Sequence, residues 1–455
     1  RQMSQNPSHI LANHGVDEAR AASEASKLAG GIDPNAAIPP HTCGALKCVC
    51  SPCVVPCTVL AVGCGSAECC GCGPLVRRRH KAWGCAFEVA VASLRTGAQM
   101  IGRSFGNLRM LTEPPLGVIP TWLPTLPDKV GVVANTACPG GGEWFFPATG
   151  PANGACPCCM TWPGDPQCDL PGSLAGKRVV LYFHGGAFCL CTSKTHRGLL
   201  MRVASTTGAV VLAVDYRKPP EHPWPTPVDD CVVAYRWLLS DQKVDPERVI
   251  FAGDSAGGGL VVAVMAAARA QGLPLPKGGV LWSPWVDLTD SYSGSWTTNQ
   301  RFDFLPRDWA AKFAKAYAGR HPLAEVSPGN VKLQGLPPLL VEIGDCECLH
   351  DQVRAFVRRA RAEGVQVDEH VSQGMVHVFP LFHPFAPAAP AVVTRAPGAI
   401  QGAIQGQSEA ADERGDFGDP GGGRRPSLSA PREAFERMGR FMDALMGPQD
   451  RDSVV

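Results

Sequence analysis

Val249-Ile250-Phe251-Ala252-Gly253-Asp254-Ser255-Ala256-Gly257-Gly258 is the stretch on which the reading of this chain turns. An apolar, β-prone run ends abruptly in Gly-x-Ser-x-Gly. An Ala- and Gly-rich segment with helical spacing follows. A strand, a sharp turn and a helix in that order form the context of a nucleophile elbow. The two glycines leave room for a crowded turn, so the Ser255 hydroxyl stands clear of the backbone. The string alone is weak, because glycine and serine are common loop residues. Its position between a strand and a helix is what gives it weight.

A second motif lies upstream. Val179-Val180-Leu181-Tyr182-Phe183 reads as a buried strand and runs into His184-Gly185-Gly186-Ala187-Phe188. Acyl transfer builds negative charge on a carbonyl oxygen, and N–H donors must be aimed at that oxygen. A glycine run after a strand brings the backbone close enough to do so. Taken alone, the run reads equally as an ordinary glycine turn.

His184-Gly185-Gly186-Ala187, Asp215-Tyr216-Arg217, Pro220-Glu221-His222-Pro223 and Gly253-Asp254-Ser255-Ala256-Gly257 occur in this order. Together they resemble the hormone-sensitive-lipase-like branch of the α/β-hydrolases. The resemblance spans roughly residues 141 to 385 plus a terminal helix near 431–447. It implies a mostly parallel sheet with helices on both faces and a helical cap. It also implies an oxyanion cradle of Gly185, Gly186, Ala187 and Ala256. Gly186, Ala187 and Ala256 donate their N–H groups, and Gly185 shapes the loop. Ala187 stands where the family has a third glycine; it still supplies a backbone donor but narrows the local dihedrals.

The same resemblance implies a histidine base near the end of the domain. Gly374-Met375-Val376-His377-Val378-Phe379 follows a strand-like segment and carries His377 in that place. A buried structural role is the alternative for it, and His370 and His383 are weaker rivals. For the acid, the strand Leu339–Ile343 leads into Gly344-Asp345-Cys346-Glu347-Cys348-Leu349-His350-Asp351. Aligned with the family's acid segment, Glu347 takes the acid position, with Asp345 next and Asp351 last. Glutamate serves in such triads.

The implied reaction is hydrolysis of small carboxylic esters through an acyl-enzyme on Ser255, with short-to-medium acyl groups. No metal or organic cofactor is required. A non-catalytic ligand-binding relative and an amide hydrolase or deacetylase are the competing readings.

Composition sets the outer bounds. The chain has 455 residues, 42 Lys+Arg against 41 Asp+Glu, and 45% hydrophobic residues. Charge so nearly balanced argues against a nucleic-acid binder held by bulk electrostatics. The 20 cysteines are uneven, with nine between Cys43 and Cys72. A secreted disulfide framework, a zinc site, S-acylation beside Arg77-Arg78-Arg79-His80-Lys81, and a compositionally biased extension are the readings for that cluster. The absence of a glycosylation sequon weighs against secretion. A cytoplasmic or peripherally membrane-associated location, through S-acylated cysteines, is therefore the expectation. The uncharged run from Cys48 to Ala67 is a poor membrane span, broken by prolines and glycines.

Along the chain, residues 1–80 read as the Cys-rich extension and 81–140 as a helical, cap-contributing segment. Residues 141–385 form the α/β domain, with a loop insertion at 149–177 and a cap insertion at 290–335. Residues 386–430 are an Ala/Pro/Gly-rich insertion, and 431–447 the terminal helix. Strands are expected at 141–147, 178–183, 209–215, 248–253, 279–284, 339–343 and 365–369, with helices between them.

Overall fold

A computed structural model describes residues 87, 90–92, 94–95, 130–135, 137–138, 140–147, 173–289, 294–385 and 429–448. The cysteine cluster, the run from Cys48 to Ala67, nearly all of 149–177, and residues 386–428 lie outside them. So does most of the helical pattern expected after Lys81. Among the described residues, no helix is long and apolar enough to cross a membrane.

Eight strands form one sheet. They are β1 (Val130–Ala134), β2 (Gly142–Pro147), β3 (Val179–Phe183), β4 (Val210–Val214), β5 (Val249–Asp254), β6 (Gly278–Trp282), β7 (Leu339–Gly344) and β8 (Val367–Ser372). Their spatial order is β1-β2-β4-β3-β5-β6-β7-β8. β2 runs antiparallel to both neighbours. The rest of the sheet is parallel. β1 was not foreseen. β8 was expected at 365–369 but begins at Val367, because Val365 is spent on the turn that leaves the preceding helix, where its N–H caps Ala360.

The central strands read as unbroken apolar runs because both of their faces are covered. Side chains alternate between two cores. Val179, Leu181 and Phe183 join one, with Val249, Phe251 and Leu281. Val180 and Tyr182 join the other, with Ile250, Ala252 and Trp282.

Helices α1 (Arg197–Thr207), α2 (Thr226–Ser240) and α3 (Ala256–Ala270) connect β3 to β6. The α2 and α3 side chains Val228, Tyr235, Leu260 and Val264 fill the first core. The α1 side chains Leu199, Leu200 and Val203 fill the second. From β3 the chain crosses to β4 on one side and returns to β5 on the other, and right-handed crossovers in opposite directions place their helices on opposite faces. The order therefore reverses beside β3. Open α/β sheets bind ligands outside the carboxyl ends of the strands at such a reversal.

Between β6 and β7 lie α4 (Ser295–Thr298), α5 (Arg307–Ala318) and α6 (Leu323–Val326). α7 (His350–Ala362) links β7 to β8, and α8 (Ala430–Met446) ends the described chain. α8 docks through Phe435, Met438 and Met442 on the second core. It is also pinned by Arg437, whose guanidinium grips the wholly buried Glu342 of β7 at 2.8 and 2.6 Å.

Candidate active site

The carboxyl ends of β3 and β5 are neighbours, so their following turns meet. β5 ends at Asp254, and Ser255 takes φ 53° and ψ −122° before α3 begins at Ala256. This is backbone that side chains rarely adopt, and such strain concentrates at functional sites. The Ser255 N–H donates to the Trp282 carbonyl at 2.8 Å, and its carbonyl accepts from Trp285 at 2.8 Å. A Cβ at Gly257 would collide with the Phe183 carbonyl, and one at Gly253 with the Gly257 carbonyl. The glycines on either side of Ser255 are thus a packing requirement. They let α3 start against the end of β3.

After β3, the chain turns through three successive positive φ values: Gly186 110°, Ala187 52° and Phe188 63°. Ala187 holds the left-handed region without the freedom of glycine. The Gly185 N–H donates to Asp254 Oδ1 at 3.0 Å. That donor is therefore occupied. Asp254 also accepts from the Tyr182 hydroxyl at 2.7 Å and faces His196 Nε2 at 3.3 Å. Burial alone would raise the Asp254 carboxyl, but His196 and these hydrogen bonds hold it below the usual range. The residue before Ser255 thereby fastens the glycine loop to the elbow. His184 lies stacked on Tyr216, with ring centroids 4.4 Å apart.

His377 Nε2 sits 2.8 Å from Ser255 Oγ. The imidazole is buried, and desolvation pushes its pKa down to about 3. It is neutral near pH 7, as a proton acceptor must be. Phe304 covers it, with ring centroids 5.8 Å apart. His370 is tied to Asp368 at 3.0 Å, and His383 packs against Phe435, so neither sequence rival meets Ser255.

Glu347 is fully buried behind the histidine loop. Its Oε2 accepts from Ser283 Oγ at 2.5 Å and from the Gly344 N–H at 3.1 Å. Burial pushes its pKa up to about 8. Glu347 Oε1 and His377 Nδ1 are both buried and both lack a hydrogen-bond partner. The structure therefore contains no hydrogen bond between the imidazole and the Glu347 carboxylate. The other two carboxylates are engaged elsewhere. Asp345 Oδ1 accepts from the Gly374 N–H at 2.6 Å, and Asp351 Oδ2 from the Ser295 N–H at 2.8 Å.

Sequence reasoning missed Ser283. Its hydroxyl donates to Glu347 and accepts from the Val378 N–H at 2.9 Å, so it joins the segments of Glu347 and His377. It is wholly buried, with φ 47°. Its position one residue past β6, at the same end of the sheet as Ser255, was the available signal.

Comparison with known proteins agrees with this architecture. Residues 180–381 match a family described as having the alpha/beta hydrolase fold. The chain is 44% identical over 214 residues to an acetyl-hydrolase of Streptomyces hygroscopicus, covering 46% of this chain and 71% of that protein. It is 33% identical over 251 residues to an esterase of Acinetobacter venetianus, covering 51% and 81% respectively. Among solved structures, it resembles an esterase from the bacterial hormone-sensitive lipase family, with a TM-score of 0.59 and 32% identity over 78% of this chain and 97% of that one. With the elbow, the glycine loop and the buried histidine at one end of this sheet, the chain belongs to the hormone-sensitive-lipase-like branch of the α/β-hydrolases and is a carboxylic ester hydrolase.

Proposed function

We propose that the chain cleaves short-to-medium acyl esters through an acyl-enzyme on Ser255. The observation that carries this reading is the 2.8 Å contact between Ser255 Oγ and the neutral, buried His377 Nε2. His377 takes the hydroxyl proton as Oγ attacks the ester carbonyl. The carbonyl oxygen becomes an oxyanion and accepts from the N–H groups of Gly186, Ala187 and Ala256. Ala256 opens α3, so the positive end of that helix adds to the stabilisation. Collapse of the adduct breaks the ester C–O bond, and the imidazolium protonates the departing alcohol. Water then repeats the cycle on the acyl-enzyme, with His377 as base, and releases the acid.

Glu347 is the third member. As the imidazolium forms, the Glu347 Oε1 would turn to accept the Nδ1–H, a bond the resting structure lacks, while the Ser283 hydroxyl holds Oε2. No step calls for a group beyond these side chains and backbone donors. The acyl preference is supported by the acetyl-hydrolase named above, which is 44% identical.

The test is turnover of p-nitrophenyl acetate, butyrate and longer esters by wild type and Ser255→Ala. Wild type is expected to favour the short members. Ser255→Ala should lose about 10⁴-fold or more in kcat, keeping only what the donors and binding supply. Equal rates for the two proteins would remove the mechanism.

A further inference from the structure

We propose that Asp303 is a positioning residue for this reaction: its buried carboxylate ties the segment carrying Glu347 to the segment carrying His377, and Arg95 braces the loop that presents it. The proposal rests on the catalytic reading above and goes beyond it by assigning a function to a residue outside the triad.

Asp303 sits in Phe302-Asp303-Phe304-Leu305, a run otherwise wholly apolar. It is 0% exposed. Its Oδ2 accepts from the Cys348 N–H at 2.7 Å, one residue beyond Glu347. Its Oδ1 accepts from the N–H of His377 itself at 3.2 Å and from the Phe304 N–H at 2.9 Å. Among the described residues no cation pairs with it. A carboxylate removed from water without a counter-charge is costly. Here the compensation is three backbone donors, two of them from the segments bearing the acid and the base, together with the Cys348 thiol. A neutral core side chain would fill the space, but it would not join those two segments.

The neighbouring residues act in the same direction. Asn299 Nδ2 donates to the carbonyls of Asp345 and Glu347, each at 2.9 Å. Ser295 Oγ donates to the Cys348 carbonyl at 2.7 Å. The segment 295–303 therefore holds the acid turn from its carbonyl side and its N–H side together. Arg95, far upstream in sequence, closes the assembly. Its Nη1 donates to the carbonyls of Gln300 at 2.7 Å, Arg301 at 3.2 Å and Asp303 at 3.2 Å. The N-terminal segment thereby braces the loop that carries the clamp.

Asp303→Asn keeps the shape but has one carbonyl oxygen. Whichever way the amide turns, its NH₂ faces an N–H that the carboxylate had accepted. The experiment measures kcat and KM for p-nitrophenyl butyrate, together with the rate of fluorophosphonate labelling. It uses the full chain as wild type, Asp303→Asn, Arg95→Met and Ser255→Ala, well below each melting temperature. Displacing reacting groups by about 1 Å costs on the order of 100-fold, so Asp303→Asn is expected to lower kcat and the labelling rate alike by about 30- to 100-fold, with KM within about twofold. Arg95→Met is expected to lower kcat about fivefold, since one brace is lost and the carboxylate stays. A purely structural residue would lower the melting temperature and leave kcat of the folded enzyme unchanged, and that result for Asp303→Asn overturns the proposal. Should Asp303→Asn fail to fold, an unchanged kcat in Arg95→Met overturns it instead. Activity in Ser255→Ala would strike the catalytic reading, and so separates that failure from this one.

Discussion

Replacing Ser283 by alanine removes a hydroxyl that serves two buried partners at once. It donates to Glu347 Oε2 at 2.5 Å and accepts from the Val378 N–H at 2.9 Å. Above about pH 9, where Glu347 is ionised, a hydrogen bond to its charged carboxylate contributes about 1.5–3 kcal/mol, and a buried N–H left without a partner costs about 1–3 kcal/mol. Some of this is recovered by relaxation, so Ser283→Ala should destabilise the fold by about 3 kcal/mol. Serine and alanine are equally strained at φ 47°, so backbone conformation contributes nothing to that difference. Ser283→Gly loses the same two hydrogen bonds but relieves the left-handed strain, which is worth about 1 kcal/mol. Glycine should therefore be the less damaging of the two, by about that amount, although it is the larger truncation. Urea unfolding of the three proteins at that pH measures both differences. Both variants should also lower kcat about tenfold, because Glu347 is left with only the Gly344 N–H at 3.1 Å to aim it. The reasoning fails if Ser283→Ala unfolds within about 0.5 kcal/mol of wild type, the usual range for an unimportant substitution. It fails equally if alanine proves more stable than glycine.

Two further outcomes follow from the buried carboxylates. Burial pushes Glu347 up to about 8, and the ionised form is the one that stabilises the imidazolium, so wild-type kcat should rise as pH rises through about 8 and fall as the carboxylate is protonated below it. His377, held down to about 3, stays neutral across that window and adds no limb of its own. Glu347→Gln should lower kcat by about 10³- to 10⁴-fold and abolish the limb; a wild-type profile flat from about pH 6.5 to 9.5 would contradict this. Arg437→Met leaves Glu342 buried and unpaired beneath α8, and should cost about 3–5 kcal/mol in urea unfolding, with a loss under about 1 kcal/mol counting against the assignment.

The strands that were plain in the sequence are those buried on both faces. Val179–Phe183 and Val249–Asp254 are continuous apolar runs because helices cover both sides of them. β1 was illegible for the opposite reason. Val130–Ala134 is a short edge strand, partly exposed along its length, and among the described residues it pairs with β2 alone. Val367–Ser372 shows no alternation of burial, and its limits are set by register against β7. At the site, Ser255 was legible because a tight elbow demands glycines on both sides, a demand that leaves a pattern in the chain. Asp303 acts through backbone N–H groups, which have no identity in the sequence, and Ser283 holds one such group as well as the Glu347 carboxylate. One trace was visible: an aspartate in the middle of an aromatic run is expensive unless donors or a cation compensate its charge.

The grip of residues 295–303 on the acid turn divides the stretch between β6 and β7 into two parts with different freedom to change. The portion up to Leu305 is scaffolding for chemistry, bound by Ser295, Asn299 and Asp303. The portion from Arg307 through Val326 makes none of these ties. Evolution or an engineer seeking a new substrate range can redraw α5 and α6 as long as Tyr317 keeps its stack on Phe188 of the glycine loop, whereas a graft beginning at Gly294 would import a foreign keystone along with its new roof.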